Sequence, residues 1–110
     1  MDESIFLKMF GDTPFIRVVD FFLDNDSFDY SKSDIARESG VSRVTLDSVI
    51  SRLLKLGVIK QTRVAGKSQM FQLNRANPAA QRLLELDVNL SIDYSSGKFN
   101  DKPSPQARMA

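Results

Sequence analysis

Cysteine and histidine are both absent from this 110-residue chain. Their absence excludes disulfide bonds, thiolate nucleophiles, imidazole bases and the usual Cys/His zinc sites. Acid and base chemistry would then fall to carboxylates and lysines, and the sequence shows no converging pair of these with a plausible pocket. It also shows no metal-ligand cluster and no glycine-rich phosphate loop. We therefore expect a protein that is not an enzyme and that holds no metal and no cofactor.

Long uninterrupted apolar runs are missing as well. The most apolar stretch, "PFIRVVDFFL", is interrupted by Arg17 and Asp20, and the chain starts with the acidic "MDES". Neither pattern fits a signal peptide or a membrane span. We expect a cytoplasmic protein with no membrane partner.

The net charge of +1 conceals an uneven distribution. Residues 1–40 carry four basic and nine acidic side chains, whereas residues 41–76 carry seven basic and one acidic side chain. A basic block of this kind is typical of a surface that binds a polyanion. Composition alone favours this interpretation no more than chance clustering of surface lysines and arginines.

The length corresponds to one domain. We divide the chain into an apolar N-terminal segment (1–12), a folded domain (13–90) and a flexible tail (91–110). The tail is polar, contains glycine and two prolines, and shows no hydrophobic period.

An apolar helix is predicted to begin at Thr13 and Pro14 and to run to Leu23. Its apolar side chains cover more than one face, so part of it needs cover from residues 5–10 or from a second subunit. We expect a homodimer; the alternative is that residues 5–10 fold back over their own chain. The predicted dimer contacts are Ile5, Phe6, Phe10, Phe15, Phe22, Leu83 and Leu86.

Two further helices are predicted on either side of a tight turn. Ser31 caps the first of them in a capping-box arrangement with Asp34, and Gly40 ends it through a positive φ angle. Ser42 caps the second helix, which spans residues 43–56. The apolar positions of this second helix form one stripe: Leu46, Val49, Ile50 and Leu53.

A β-hairpin follows over residues 58–73, because two alternating segments flank the turn sequence "AGK". Ile59, Phe71 and Leu73 are expected to face the core. Asn77 and Pro78 then begin a last helix. The predicted fold class is mainly α with a small β-hairpin wing.

The stretch "SDIARESGVSRVTLDSVISRLLKLGVIKQTRVAGKSQMFQLN" resembles the winged helix-turn-helix domain of prokaryotic transcription regulators, especially small archaeal ones. The resemblance covers about residues 13–90, and it is strongest over "GVSRVTLDSVISRLLKLGVI". It implies that helix 43–56 enters the major groove of double-stranded DNA, while the wing reaches the adjacent backbone or the minor groove. The implied function is sequence-specific transcription regulation.

The resemblance and the residue chemistry together predict a set of DNA contacts. Arg43 fits the O6 and N7 atoms of guanine, and Val44 fits a thymine methyl group. Asp47 has three interpretations: it accepts from cytosine, it pairs with Arg43 one helical turn away, or it is simply exposed. The predicted contacts are Ser42, Arg43, Val44, Thr45, Asp47, Ser48 and Arg52 on the helix, and Lys60, Arg63 and Lys67 on the wing.

A winged domain can also serve as a protein-interaction module without binding DNA. Such a module need not keep its second helix and wing basic, whereas here Asp47 is the only acidic residue from Val41 to Ala76. No residue pattern identifies a small-molecule effector, an operator sequence, or activation as opposed to repression.

Overall fold

The computed structural model describes residues 3–101, which form five helices and three short strands. In chain order these are α1 (Ile5–Phe10), α2 (Pro14–Asp24), β1 (Tyr30–Ser31), α3 (Lys32–Ser39), α4 (Arg43–Lys55), β2 (Ile59–Ala65), β3 (Ser68–Leu73) and α5 (Pro78–Ser95). The predicted class, mainly helical with a β-hairpin, is confirmed. Within residues 3–101, no helix combines the length and the apolar composition that crossing a membrane requires.

Helix α2 forms the centre of the hydrophobic core and contacts each of the other helices as well as β3. Thr13 Oγ1 accepts a hydrogen bond from the Ile16 amide at 3.2 Å, and Pro14 occupies the first helical position. Both features stabilise a helix start, which confirms the predicted one. The buried side chains of α2 are Val18, Val19, Phe21, Phe22 and Leu23.

Helices α3 and α4 form the predicted helix-turn-helix. Ser31 Oγ accepts a hydrogen bond from the Asp34 amide at 3.2 Å, as the predicted capping box requires. Gly40 ends α3 with a φ angle of 70°, a backbone conformation that favours glycine. Ser42 then caps α4, whose predicted apolar stripe is buried: Leu46, Val49, Ile50 and Leu53.

Strands β2 and β3 form the predicted hairpin, and β1 pairs with the free edge of β3 to give the order β1, β3, β2. All pairs are antiparallel, and Ile59 lies opposite Leu73. Ile59, Phe71 and Leu73 are buried in the core because alternate residues of a strand face the same side of the sheet.

The structure corrects two residues of the predicted dimer interface. Phe6 is 2% exposed and Phe22 is 1% exposed within a single chain, so neither has surface left for a partner. The cause is that α1 folds back against α2 and α5, which agrees with the alternative described for residues 5–10. The other predicted interface residues keep exposed surface: Ile5, Phe10, Phe15, Leu83 and Leu86.

Helix α5 continues past residue 90, where the sequence predicts the end of the folded domain. It runs to Ser95 and buries Tyr94, whose hydroxyl accepts a hydrogen bond from Lys8 Nζ at 3.1 Å. Lys8 also pairs with Asp101 at 2.9 Å. Residues 91–95 of the predicted tail are therefore helical, and the contacts of Lys8 join α1 to Tyr94 and Asp101. Residues 102–110 of the predicted tail lie outside the described residues.

Candidate nucleic-acid interface

The start of α4 presents its outer face to solvent. Ser42 Oγ accepts a hydrogen bond from the Thr45 amide at 3.3 Å and so fixes where the helix begins. The buried stripe lies on the opposite side, and Val44 is 85% exposed although it is apolar. Of the contacts predicted on α4, Thr45 is partly buried, and the exposed ones are Ser42, Arg43, Val44, Asp47, Ser48 and Arg52.

Three elements meet around a groove of about 260 Å³ between the start of α4 and the tip of the wing. Arg43 lines this α4–wing groove from α4, Lys67 from the turn between β2 and β3, and Lys32 from the start of α3. The remaining lining is polar and consists of Ser31, Ser33, Ser68 and Gln69. The fold therefore brings two predicted contacts, Arg43 and Lys67, to one groove that also contains a third cation.

The carboxylate of Asp47 lies beside two of these cations. Its Oδ1 atom is 3.1 Å from Lys32 Nζ and 3.9 Å from Arg43 Nε. Arg43 also donates a hydrogen bond from Nη1 to Ser33 Oγ at 3.3 Å. One of the three interpretations of Asp47 pairs it with Arg43. In the structure its carboxylate lies beside Arg43.

Arg52 stacks on the ring of Phe15, with its guanidinium carbon 4.2 Å from the ring centroid. This cation–π contact joins α4 to α2. The sequence assigned Arg52 to DNA and Phe15 to a dimer interface, whereas the structure brings the two side chains together. The contact holds the Arg52 guanidinium against α2.

The wing cations differ in their surroundings. Arg63 Nε is 2.9 Å from Asp29 Oδ2. Hydrogen bonds from Arg63 and Thr62 lower the pKa of Asp29 to about 2, so this carboxylate is ionised at neutral pH. Lys60 and Lys67 are exposed and form no ion pair with any residue from 3 to 101. Their positive charge is not neutralised by a neighbour in that range.

Sequence reasoning missed Lys32, the cation that lines the groove from α3. Lys32 directly follows the cap residue Ser31, at the first position of the first helix of the motif. Its contact with Asp47 shows that this position lies beside the start of the second helix. The predicted helix-turn-helix geometry could therefore have identified Lys32 as a candidate contact, whereas the charge pattern could not.

A helix, a tight turn, an exposed second helix and a basic hairpin together define the winged helix-turn-helix fold. No protein-family model and no curated protein sequence matches the chain. Solved structures do match it, and three of them are described next.

NMB1585, a MarR family regulator from Neisseria meningitidis, aligns with a TM-score of 0.61 at 16% identity over 88% of this chain and 71% of that chain. A double mutant of ZitR from Lactococcus lactis aligns with a TM-score of 0.58 at 17% identity over 77% of this chain and 62% of that chain. BpsR from Bordetella bronchiseptica, whose DNA binding is regulated by 6-hydroxynicotinic acid, aligns with a TM-score of 0.55 at 18% identity, over 88% of this chain and 66% of that chain.

These similarities confirm the winged helix-turn-helix fold that the sequence predicts. The identities are low, so the similarity is one of fold. The chain spans less than two thirds of the length of the BpsR and ZitR structures.

Proposed function

We propose that this protein is a sequence-specific transcription regulator that binds double-stranded DNA. The α4–wing groove is the observation that carries the proposal, because it joins the exposed start of α4 to the tip of the basic hairpin. Helix α4 enters the major groove, and the wing follows the adjacent backbone or minor groove. The descriptions of NMB1585 as a regulator and of BpsR as a DNA-binding protein support this function.

The start of α4 supplies the base contacts in this proposal. The guanidinium of Arg43 matches the O6 and N7 atoms of guanine, and Val44 matches a thymine methyl group. The hydroxyls of Ser42 and Thr45 lie 3.0 Å apart in the free protein and can turn toward phosphate or base edges. Asp47 acts as a positioning residue, because it contacts both Arg43 and Lys32.

The wing and the start of α3 supply contacts to phosphate or to the minor groove. We assign these contacts to Lys60, Lys67 and Lys32. Arg63, which pairs with Asp29, is assigned the same role. Contacts to phosphate raise the affinity for every DNA sequence without choosing among bases. The division of roles is therefore base recognition by α4 and general affinity by the wing.

We also propose that two chains bind DNA together. Exposed apolar side chains on α1 and α5 supply the surface for a second subunit, including Phe10 (46% exposed) and Leu86 (39% exposed). Phe6 and Phe22 have no part in this surface. A two-fold symmetric dimer would place its two α4 helices about 34 Å apart, one turn of the duplex, on a palindromic site.

Selection of bound sequences from a random DNA pool tests the proposal. We expect enrichment of an inverted repeat whose half-sites lie about one helical turn apart. Binding to the selected site should weaken with salt, with log K falling by about 0.9 per phosphate contact for each log unit of salt. No enriched sequence, together with no salt-sensitive binding, would reject DNA binding and leave a protein-interaction module as the function of the fold.

A further inference from the structure

Three aspartates converge where α2 packs against α5. Asp20 and Asp24 are one helical turn apart on α2, and Asp87 comes from α5. A carboxylate oxygen from each of them lies within 4.8 Å of the other two. We refer to Asp20, Asp24 and Asp87 as the acidic cluster; it shares no residue with the proposed DNA interface.

The acidic cluster has few partners for its charge. Asp87 is 7% exposed, and its side chain forms no hydrogen bond with any residue from 3 to 101. Asp20 Oδ1 is buried without a hydrogen-bond partner, while Asp20 Oδ2 accepts one hydrogen bond, from Ser4 Oγ at 3.1 Å. Across the same range, no lysine or arginine forms an ion pair with any of the three carboxylates.

Packing alone gives no reason for this arrangement. Removing a carboxylate from water is unfavourable unless it gains a partner, and like charges at this distance oppose one another. A cation between the three carboxylates would supply both the countercharge and the missing partner.

We propose that Asp20, Asp24 and Asp87 form a binding site for a hard divalent cation, with Ca²⁺ as the best-fitting ion. Carboxylate oxygens are the ligands that Ca²⁺ and Mg²⁺ prefer, and the chain has no cysteine or histidine to select a softer metal. Asp24 is exposed to solvent, which leaves an opening for the ion and room for water ligands.

The coordination that each ion accepts favours the larger ion. Mg²⁺ requires near-ideal octahedral geometry at about 2.1 Å and gives up its water ligands reluctantly, whereas Ca²⁺ accepts six to eight oxygens at about 2.3–2.6 Å in a flexible arrangement. Three carboxylate oxygens within 4.8 Å of one another can therefore hold Ca²⁺, with water completing its coordination.

A cation at this position would stabilise the junction between α2 and α5. Any ligand that binds the folded chain and not the unfolded one raises the midpoint of unfolding. The inference can therefore be tested without DNA, and its failure would leave the proposed DNA binding unaffected.

The experiment is thermal unfolding of the full chain after treatment with a chelator, followed by dialysis. Unfolding is measured at slightly alkaline pH with millimolar CaCl₂, with millimolar MgCl₂, or with KCl at equal ionic strength. We expect CaCl₂ to raise the Tm by about 4 °C or more relative to KCl, with a smaller rise for MgCl₂. Titration calorimetry should give one Ca²⁺ per chain.

Three variants locate the effect. Asp24→Asn and Asp87→Asn should each lose the Ca²⁺ response, and Asp24→Asn should unfold at a higher Tm than the wild type in KCl because it relieves charge repulsion. Asp93→Asn is the matched control: Asp93 lies on the same helix as Asp87 but pairs with Lys98 at 3.3 Å, so this variant should keep the response.

If Asp87→Asn fails to fold, Asp24→Asn decides whether the acidic cluster binds the ion, because Asp24 is exposed. Equal Tm values in CaCl₂ and KCl for the wild type, or a Ca²⁺ response that persists in Asp24→Asn, would overturn the proposal.

Discussion

Arg43 is held by two neighbours before any DNA is present. Asp47 lies one turn further along α4, and Ser33 accepts a hydrogen bond from Arg43 across the turn of the motif. Both contacts are exposed, so each is weak and can be exchanged for a base or a phosphate. The side chain therefore starts near the groove with part of its conformational freedom already restricted.

Replacing Arg43 should change sequence preference, whereas replacing Lys67 should not. We expect Arg43→Ala to weaken binding to the selected site by about 1–3 kcal/mol and to relax the preference for guanine at one position. Lys67→Ala should weaken binding to all sequences similarly and reduce the salt slope by about 1. Titrations of matched and mismatched duplexes at several salt concentrations measure both effects.

Lys98→Ala is the control for these two changes, because Lys98 follows α5 and pairs with Asp93 away from the groove residues. It should leave DNA affinity unchanged. If Arg43→Ala and Lys67→Ala alter affinity and preference in the same way, the division between base recognition and general affinity is wrong.

The Asp29–Arg63 pair predicts a pH dependence of stability. The pKa of Asp29 in the folded chain is lowered from 3.8 to about 2, chiefly by the hydrogen bond from Arg63, so the ionised carboxylate favours the fold. The resulting stabilisation is present above the unfolded value of about 4 and is lost as the pH falls through about 2. We expect Asp29→Asn to lower the Tm at neutral pH by about 1–5 °C, since exposed pairs contribute little. Thermal unfolding from neutral to strongly acidic pH should show the difference disappearing in acid.

Arg63→Gln provides the second arm of this test. In the Arg63→Gln background, Asp29→Asn should have little further effect at neutral pH, because the partner is already absent. A difference between wild type and Asp29→Asn that stays constant down to strongly acidic pH would contradict the assignment.

At the scale of elements, the turn between α3 and α4 depends on Gly40. A Cβ atom at this position would lie 3.1 Å from Arg17 Nη1, and the φ angle of 70° disfavours most side chains. We expect Gly40→Ala to lower the free energy of unfolding by about 1–2 kcal/mol, mainly through the backbone. Urea unfolding measures the change.

Gly40→Asn separates the backbone effect from the contact with Arg17. Both variants introduce a Cβ atom, but asparagine tolerates the left-handed conformation better than alanine does. Gly40→Asn should therefore be less destabilising than Gly40→Ala. Equal losses in both variants would assign the effect to the crowded Arg17 side chain instead.

Helix starts were the elements best predicted from the sequence. Thr13, Ser31, Ser42 and Asn77 each cap a helix as expected, because a cap bonds an amide within the next few residues. The end of α5 was missed, because its last turns are stabilised by a distant partner. Lys8 of α1 bonds Tyr94, and no pattern within residues 91–95 reports that contact.

At the scale of the whole molecule, the proposed dimer can be tested through the apolar surface of α1 and α5. We expect the wild type to sediment as a dimer at micromolar concentration. Leu86→Glu should raise the dissociation constant at least about tenfold, because it places a charge on an apolar contact surface. Sedimentation velocity over a concentration series measures the shift.

Phe28→Ser is the control for this prediction. Phe28 is 69% exposed and lies between α2 and β1, outside the surface assigned to the dimer. It should leave the dimer intact. A wild-type chain that sediments as a monomer throughout the series would reject the dimer. Dissociation by Phe28→Ser, with no effect of Leu86→Glu, would reject the surface assigned to the dimer.

The sequence alone determined the order of the elements, the caps, the Gly40 turn and the buried stripe of α4. These features depend on interactions between residues a few positions apart, and hydrophobic periodicity reports them directly. The same local patterns predicted Arg43 on an outer face and Lys67 at the tip of a hairpin. They do not bring Asp87 near Asp20 and Asp24, because Asp87 lies far along the chain from both.

The tertiary structure decided what depends on distant residues meeting. It buried Phe6 and Phe22 within one chain, paired Asp47 with Lys32, stacked Arg52 on Phe15 and collected three aspartates between α2 and α5. Each of these contacts joins side chains from different elements, and the packing of apolar faces sets their distance. A hydrophobic pattern shows that a face is buried but not which face covers it, so these contacts could be read from the folded chain and not from the sequence.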